Sequence, residues 1–419
     1  MTIHLSQRVQ RVKLSANAAA SARAGALAAQ GRDVISLTTG EPDFDTPEII
    51  KQAAIAALAR GETKYTQTAG TAALRSAIST KYARENQLAF DSSEIIVSNG
   101  GKQVIHGALG ATLDPGDEVI VPAPYWPSFP DIVRINDGEP VILPCGLEVQ
   151  FKLTPEALAA AIRPRTRWVI LNTPGNPSGA VYDRAELAAL AAVLRQHPQV
   201  WILLDELYEH IWFTEQEPAH WLHVAPDLKE RTLLVNGASK TYAMTGWRIG
   251  WGAAPAALIH AMTAVQSQTT SGPNAIAQAA VLAALEAKDQ SFVSTARSVY
   301  ARRAKAVTRG FDSIEGLQLQ PPQGAFFAFV HCADLLGSQR PDGVRITSDK
   351  DVVDWLLESE GVAAVDGASF GLSPYFRISI AASDLALEQA ILRSARAVAG
   401  LRRAVPAATS APLALEIPA

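Results

Sequence analysis

The sequence predicts an α/β protein: a large domain with a mainly parallel central sheet flanked by helices, followed by a smaller α+β domain. Three observations carry this. Between about residues 94 and 251, short β-branched apolar runs alternate with alanine-rich stretches of helical spacing. Those runs lack the polar alternation of half-exposed strands, so they suit strands buried on both faces beneath helices. Past about residue 290 the alternation stops, and a long Arg- and Ala-rich helical segment leads into strands and helices in a new order.

Taken along the chain, Glu94–Ser98 reads as a strand, and Gly100-Gly101 opens an apolar helical segment that ends at the turn signal Asp114-Pro115-Gly116-Asp117. Glu118–Val121, Arg167–Leu171 and Val200–Leu204 are further strands, with helical spacing over Asp183–Gln196. Thr232–Val235 and Arg248–Trp251 follow as strands. In the C-terminal part the pattern gives helices at Ser291–Phe311, Lys350–Glu358 and Ser383–Leu401, and strands at Ala325–Val330, Val362–Val365 and Phe376–Ile380. The expected division is an N-terminal segment 1–45, a large domain 46–288, a small domain 289–403 and a poorly ordered Pro/Ala/Ser tail 404–419.

Composition narrows the function. The chain has 419 residues, 48% hydrophobic and 19% charged, with 37 basic and 41 acidic side chains for a formal charge of −4. That excludes a disordered chain, a collagen and a disulfide-stapled miniprotein. It also argues against a bulk nucleic-acid binder, which carries a basic face. Cys145 and Cys332 lie far apart without CxxC spacing, so they read as small buried hydrophobes, not as metal ligands or a disulfide. Cysteine poverty fits a reducing, cytoplasmic setting. No secretory h-region is visible. Residues 251–285 lack acidic and basic residues, but Gln266–Asn274 is polar and the apolar remainder is too short for a span of about 20 residues.

Several residues stand out chemically. Lys240 follows a strand within Ser239-Lys240-Thr241-Tyr242-Ala243-Met244-Thr245-Gly246-Trp247-Arg248, among small, aromatic and apolar neighbours where a solvated lysine fits poorly. A desolvated lysine has a lowered pKa and can form a Schiff base with a carbonyl cofactor. Arg248 can grip a phosphate with forked hydrogen bonds. Asp205 ends an apolar strand, where ligands bind in α/β sheets; a cap is the plainer reading of the same pattern. Gly100-Gly101-Lys102 joins a strand to a helix and offers free N–H groups to an anion, although taken alone it is a turn, and neither a Walker A loop nor a GxGxxG fingerprint. Asn172-Thr173-Pro174-Gly175-Asn176-Pro177 is a turn cluster just after a strand. Arg377 sits inside an apolar strand, where a cation is costly unless paired. His220-x-x-His223 has metal-ligand spacing without a third ligand nearby, so surface or core histidines are the better reading and no metal is expected. His106 likewise reads more readily as structural than as a pocket residue.

The SKTYAMTGWR segment, with these landmarks in order from about residue 5 to 400, resembles the class I/II aminotransferases, the fold type I enzymes dependent on pyridoxal 5′-phosphate, and is nearest the bacterial aspartate aminotransferase subgroup Ib. A match starting so close to Met1 leaves little room for the organellar presequence that the basic, acid-free N-terminus faintly suggests. The resemblance makes 46–288 the cofactor-binding domain and packs 1–45 against the small domain. It assigns Lys240 to the cofactor aldehyde and to proton transfer, Asp205 to the pyridine nitrogen, and Tyr208 and Asn176 to the ring oxygen. Gly101, Lys102 and Arg248 fall to the phosphate, with Tyr65 reaching it from a second subunit of a homodimer. Trp126 stacks on the ring, and Arg377 and the Gly40 N–H take the substrate α-carboxylate. Lys102 and residue 17 read the distal carboxylate of an aspartate or glutamate substrate. Here residue 17 is asparagine where the subgroup has threonine, and Gly175 stands where it has a larger residue. The implied reaction is ping-pong transfer of an α-amino group between an L-amino acid and a 2-oxo acid. Aromatic, prephenate or alanine specificity, a C–S β-lyase on the same scaffold, and a PLP-sensing regulator are the alternatives.

Overall fold

The computed structural model describes residues 3–402, so the expectation for the tail 404–419 lies outside the described residues. Its strands are β1 (Ile35–Ser36), β2 (Ile95–Ser98), β3 (Glu118–Ala123), β4 (Glu139–Pro144), β5 (Thr166–Asn172), β6 (Trp201–Asp205), β7 (Thr232–Gly237), β8 (Gly250–Ala253), β9 (Phe327–His331), β10 (Val362–Ala363), β11 (Val365–Asp366) and β12 (Tyr375–Ser379). Seven of them form one sheet in the order β2-β8-β7-β6-β5-β3-β4. Within it β8 alone runs against its neighbours; the pairs from β7 through β6, β5 and β3 to β4 are parallel.

Both faces of this sheet are buried, which is why its strands carry no polar alternation. Ile95, Val97, Ile120, Val169, Leu171, Ile202, Leu204 and Leu234 face one core, with the helices Glu48–Ala59, Ala72–Asn86, Arg184–Arg195 and Ala275–Glu286. Their chain neighbours Ile96, Val119, Val121, Trp168, Ile170, Leu203, Leu233 and Val235 face the other core, with Gly101–Thr112 and Ala256–Thr269. Successive side chains thus go to opposite helix layers. Each fully buried Leu, Ile or Val contributes about 1.5–3 kcal/mol relative to exposure.

The C-terminal sheet, β11-β12-β9, is antiparallel and packs on Ser291–Asp312, Asp349–Glu360 and Asp384–Ala399 around Phe311, Phe326, Phe376 and Ile378. The chain returns to its own start through the parallel pair β1–β10 and through Ala24 of the Ala16–Ala29 helix, which packs on Leu357 and Ala363. Among the described residues no helix is long and apolar enough to cross a membrane.

Three details differ from the sequence reading. β4 went unread because it is an edge strand whose residues are only partly buried and which carries Pro140 and Pro144, so its apolar signal is weak. The run Val362–Val365 divides between two sheets: Val362 and Ala363 pair with β1, Val365 with β12. The strand expected from Arg248 begins at Gly250, because Arg248 takes a left-handed backbone (φ 57°) that breaks extension.

Candidate active site

The C-terminal ends of β2, β3, β5, β6 and β7 share one edge, the usual ligand side of an open α/β sheet. Because β8 is antiparallel, its N-terminal end lies at that same edge and delivers Arg248 there. Of the twelve site residues named from the sequence, eleven line a single cavity of about 300 Å³: Asn17, Gly40, Gly101, Lys102, Trp126, Asn176, Asp205, Tyr208, Lys240, Arg248 and Arg377. Tyr65 is the exception. It is 96% exposed and borders a separate recess with Asn99, Gly272 and Pro273.

Lys240 lies in the short helix Ala238–Thr241 that follows β7. Burial, and then the charge of Arg248, pulls its amine down to about 8, while Glu41 and Asp205 act in the opposite sense. Its Nζ donates to the Gly40 carbonyl and stands 5.9 Å from the Tyr208 ring centroid. Asp205 is buried at the end of β6, and desolvation pushes its carboxyl up to about 7 even though Oδ1 accepts from the Leu207 N–H at 3.1 Å. A carboxylate so placed calls for a cationic or N–H partner.

Arg377 is completely buried in β12. Its Nη1 donates to Asn176 Oδ1 (3.1 Å) and Nη2 to the Thr38 carbonyl (2.6 Å), and the guanidinium lies 4.3 Å from the Phe327 centroid. Its Nε has no partner among the described residues, and burial lowers its pKa to about 10. Among the described residues this desolvated guanidinium has only neutral hydrogen-bond partners, which poises it for an anion. Asn17 Oδ1 is likewise buried and unpartnered. Lys102 Nζ lies 4.8 Å over the Trp126 ring, and its pKa is lowered by burial and by Arg248.

The end of the cavity at Arg248 is built around a glycine turn. Gly100 has φ +89°, and a Cβ there would fall on the Arg248 guanidinium, so glycine is what lets this arginine lie over the turn. Arg248 Nη1 donates to the Thr245 carbonyl (2.8 Å) and Nη2 to the Asn99 carbonyl (3.2 Å). The Gly101–Thr112 helix has no side-chain cap at Gly100, and its first backbone bond is from the Gln103 N–H to the Gly100 carbonyl (3.0 Å), so the Gly101 and Lys102 N–H groups come before any intrahelical bond.

Sequence reasoning passed over Asn172, Ser239, Thr245, Leu207 and Ile105, which also line the cavity. Asn172 braces the loop: its Oδ1 accepts from the Asn176 N–H (2.8 Å) and its Nδ2 donates to the Asp205 carbonyl (3.0 Å). The position of Asn172 at the head of the NTPGNP cluster was the available signal. Gly175 sits where a Cβ would press the Asn172 carbonyl at 3.1 Å, so the loop is tight there. His106 lies outside the cavity, beside Asn136 (3.1 Å). His220 pairs with Glu206 (2.9 Å), and His223 contacts the Asn86 carbonyl instead of a shared ligand. Both cysteines are buried and free.

The model of the family "Aminotransferase class I and II" matches residues 32–393. This chain belongs to the class I and II aminotransferases. The aminotransferase is 50% identical over 390 residues to the aspartate aminotransferase of Rhizobium meliloti (strain 1021), covering 93% of this chain and 95% of that protein. It is 49% identical over 397 residues to the aspartate/prephenate aminotransferase of Cereibacter sphaeroides, covering 95% and 99%. Its structure matches a crystal structure of the Rhizobium meliloti aspartate aminotransferase with a TM-score of 0.92 at 48% identity, over 96% of this chain and all of that one. It also matches the Thermus thermophilus aspartate aminotransferase solved with maleate, with a TM-score of 0.88 at 42% identity, over 94% and 100%. The family uses pyridoxal 5′-phosphate.

Proposed function

We propose that this aminotransferase binds pyridoxal 5′-phosphate in the Lys240 cavity and moves the α-amino group between aspartate or glutamate and a 2-oxo acid. The observation that carries this is the convergence, in one cavity, of a desolvated lysine, a buried carboxylate and a buried arginine that has no anionic partner among the described residues. The residues suit the cofactor: Asp205 forms no ion pair among the described residues, the glycine turn lets the Arg248 guanidinium lie at the start of the Gly101–Thr112 helix, and Arg377 Nε awaits an acceptor.

When bound, the cofactor supplies an aldehyde that captures amines and a ring that withdraws electrons from the substrate Cα. Arg377 and the Gly40 N–H fix the α-carboxylate, which orients the Cα–H bond. Lys240 takes the proton from Cα; an amine titrating near 8 is well matched to that task at neutral pH. Asp205 would hold the ring nitrogen and favour its protonated form. Tyr208 and Asn176 would hold the ring oxygen, and Trp126, which lines the same cavity, would supply an aromatic surface for the ring.

The distal end favours an acidic substrate. Lys102 supplies a cation and Asn17 an amide at the cavity wall, and the Thermus relative was solved with a dicarboxylate. Relatives named for aspartate/prephenate activity support prephenate as a second acceptor class. The test is a screen of amino donors and oxo acids with purified, cofactor-loaded protein. Aspartate and glutamate are expected to exceed alanine and aromatic donors at least tenfold in kcat/KM; a preference for a neutral donor would overturn this substrate reading.

A homodimer completes the site. Tyr65 is almost fully exposed and lines a different recess from the Lys240 cavity, while Ile49, Ile55 and Leu58 of the Glu48–Ala59 helix are also exposed. Such apolar exposure marks a protein interface.

A further inference from the structure

Behind the lysine, on the side away from the cavity, lies a polar network that the chemistry above does not use. Thr241, the residue after Lys240, is buried, and its Oγ1 is 3.0 Å from His210 Nδ1. His210 Nε2 is 3.1 Å from Glu85 Oε2. A carboxylate only accepts, so Nε2 carries a hydrogen towards Glu85, while Nδ1 lies beside the threonine hydroxyl and 3.4 Å from Glu209 Oε1. Glu85 and Glu209 are in turn anchored by Lys81, which is 1% exposed and hydrogen-bonded to Glu209 and to Asn86 Oδ1 (3.0 Å), with Glu85 at 3.5 Å. Glu85, Glu209 and His210 lie close enough to suggest a metal cluster, but the Lys81 ammonium occupies the cationic role.

We propose that His210 is a positioning residue for the amino-group transfer: through the Thr241 hydroxyl it fixes the turn carrying Lys240 to the Lys81–Glu85–Glu209 network. The inference rests on the reading of Lys240 as the reacting amine. The geometry has few slack points. The Ala238–Thr241 helix is a single turn, too short to hold its own orientation, and it carries no side-chain cap at Gly237. His210 itself follows Tyr208 by two residues, so one segment after β6 braces both a cavity wall and the lysine turn. The groups facing His210 are Glu85, Glu209 and Thr241, with Lys81, Arg84 and Tyr242 just beyond. Burial raises the Glu85 carboxyl, but the His210 hydrogen bond and the Lys81 charge outweigh it and bring Glu85 down to about 2.

The experiment compares Thr241→Val, which keeps the shape and removes the hydroxyl, with Thr241→Ser, His210→Phe and His210→Asn, whose amide keeps a polar group opposite Thr241. Two readouts are taken: steady-state kcat and KM with aspartate, and the pH dependence of Lys240 labelling by trinitrobenzenesulfonate in cofactor-free protein, followed by peptide mass. Thr241→Val and His210→Phe are each expected to lower kcat about tenfold with KM changed less than twofold. They are also expected to slow Lys240 labelling about threefold at pH 7, because a loosened turn admits water and raises the amine pKa. Thr241→Ser and His210→Asn should stay within about twofold, and the Thr241→Val/His210→Phe double variant should lose no more than either single one. Unchanged kcat and labelling in Thr241→Val, or additive losses in the double variant, would overturn the proposal. Failure of the Lys240 reading is separate: it would show as full turnover in Lys240→Ala, whatever the His210 variants do.

Discussion

Replacing Arg377 tests the substrate grip most sharply. The guanidinium is completely buried and, among the described residues, makes two hydrogen bonds to neutral acceptors and leaves Nε without a partner. A substrate α-carboxylate arriving there forms forked, charge-assisted bonds, each contributing about 1.5–3 kcal/mol. Losing two such bonds removes roughly 3–6 kcal/mol of transition-state stabilisation, or about 10²–10⁴ in kcat/KM. Arg377→Met keeps much of the side-chain volume against Phe327 and Phe370, so the loss reads charge and not collapse. In the empty site the same change removes a desolvated charge without a counter-ion, so thermal stability should hold or rise. The assay is kcat/KM for aspartate and for oxaloacetate beside thermal melts. A variant within tenfold of the parent towards both substrates would refute the reasoning, and so would equal losses towards an amine lacking the α-carboxylate.

Three further outcomes are expected. Burial raises Asp205 to about 7, so between pH 4 and 7 the folded cofactor-free protein holds a proton that the unfolded chain has lost, and stability falls as pH rises through that window; Asp205→Asn should therefore melt higher than the parent at pH 8 and equal to it at pH 4, with kcat down at least 10²-fold, and an identical melting difference at both pH values would count against it. Lys102→Ala should lower kcat/KM for aspartate about 10–100-fold while leaving alanine within threefold, and Asn17→Thr should raise aspartate a few-fold; parallel changes for both donors would dismiss the distal-carboxylate role. Tyr65→Phe should weaken cofactor affinity about five- to tenfold, and mixed dimers of Tyr65→Phe with Lys240→Ala should recover one working site; a monomer by sedimentation would end that reading.

Much of this was legible in the residues because the fold makes its signals local. Buried parallel strands write themselves as uninterrupted apolar runs, and each strand end delivers a short motif to one edge, so SKTYAMTGWR, NTPGNP and the Gly100 turn could be placed without coordinates. Arg377 could be singled out because a cation inside an apolar strand needs a reason. What escaped notice was tertiary. Edge strand β4 is half-exposed and proline-bearing, so it lacks the run that marks its neighbours. Asn172, Thr245 and the His210–Thr241 contact depend on which turns face one another across the sheet edge, which no spacing along the chain encodes. Arg248 read as the start of a strand because sequence pattern does not show that one residue adopts a left-handed backbone to lay its guanidinium over Gly100.

The most direct test of the central claim is borohydride reduction of the cofactor-loaded protein followed by peptide mapping. The account predicts a single stable adduct on Lys240, lost in Lys240→Ala together with nearly all turnover. An adduct on any other lysine, or none, would contradict it.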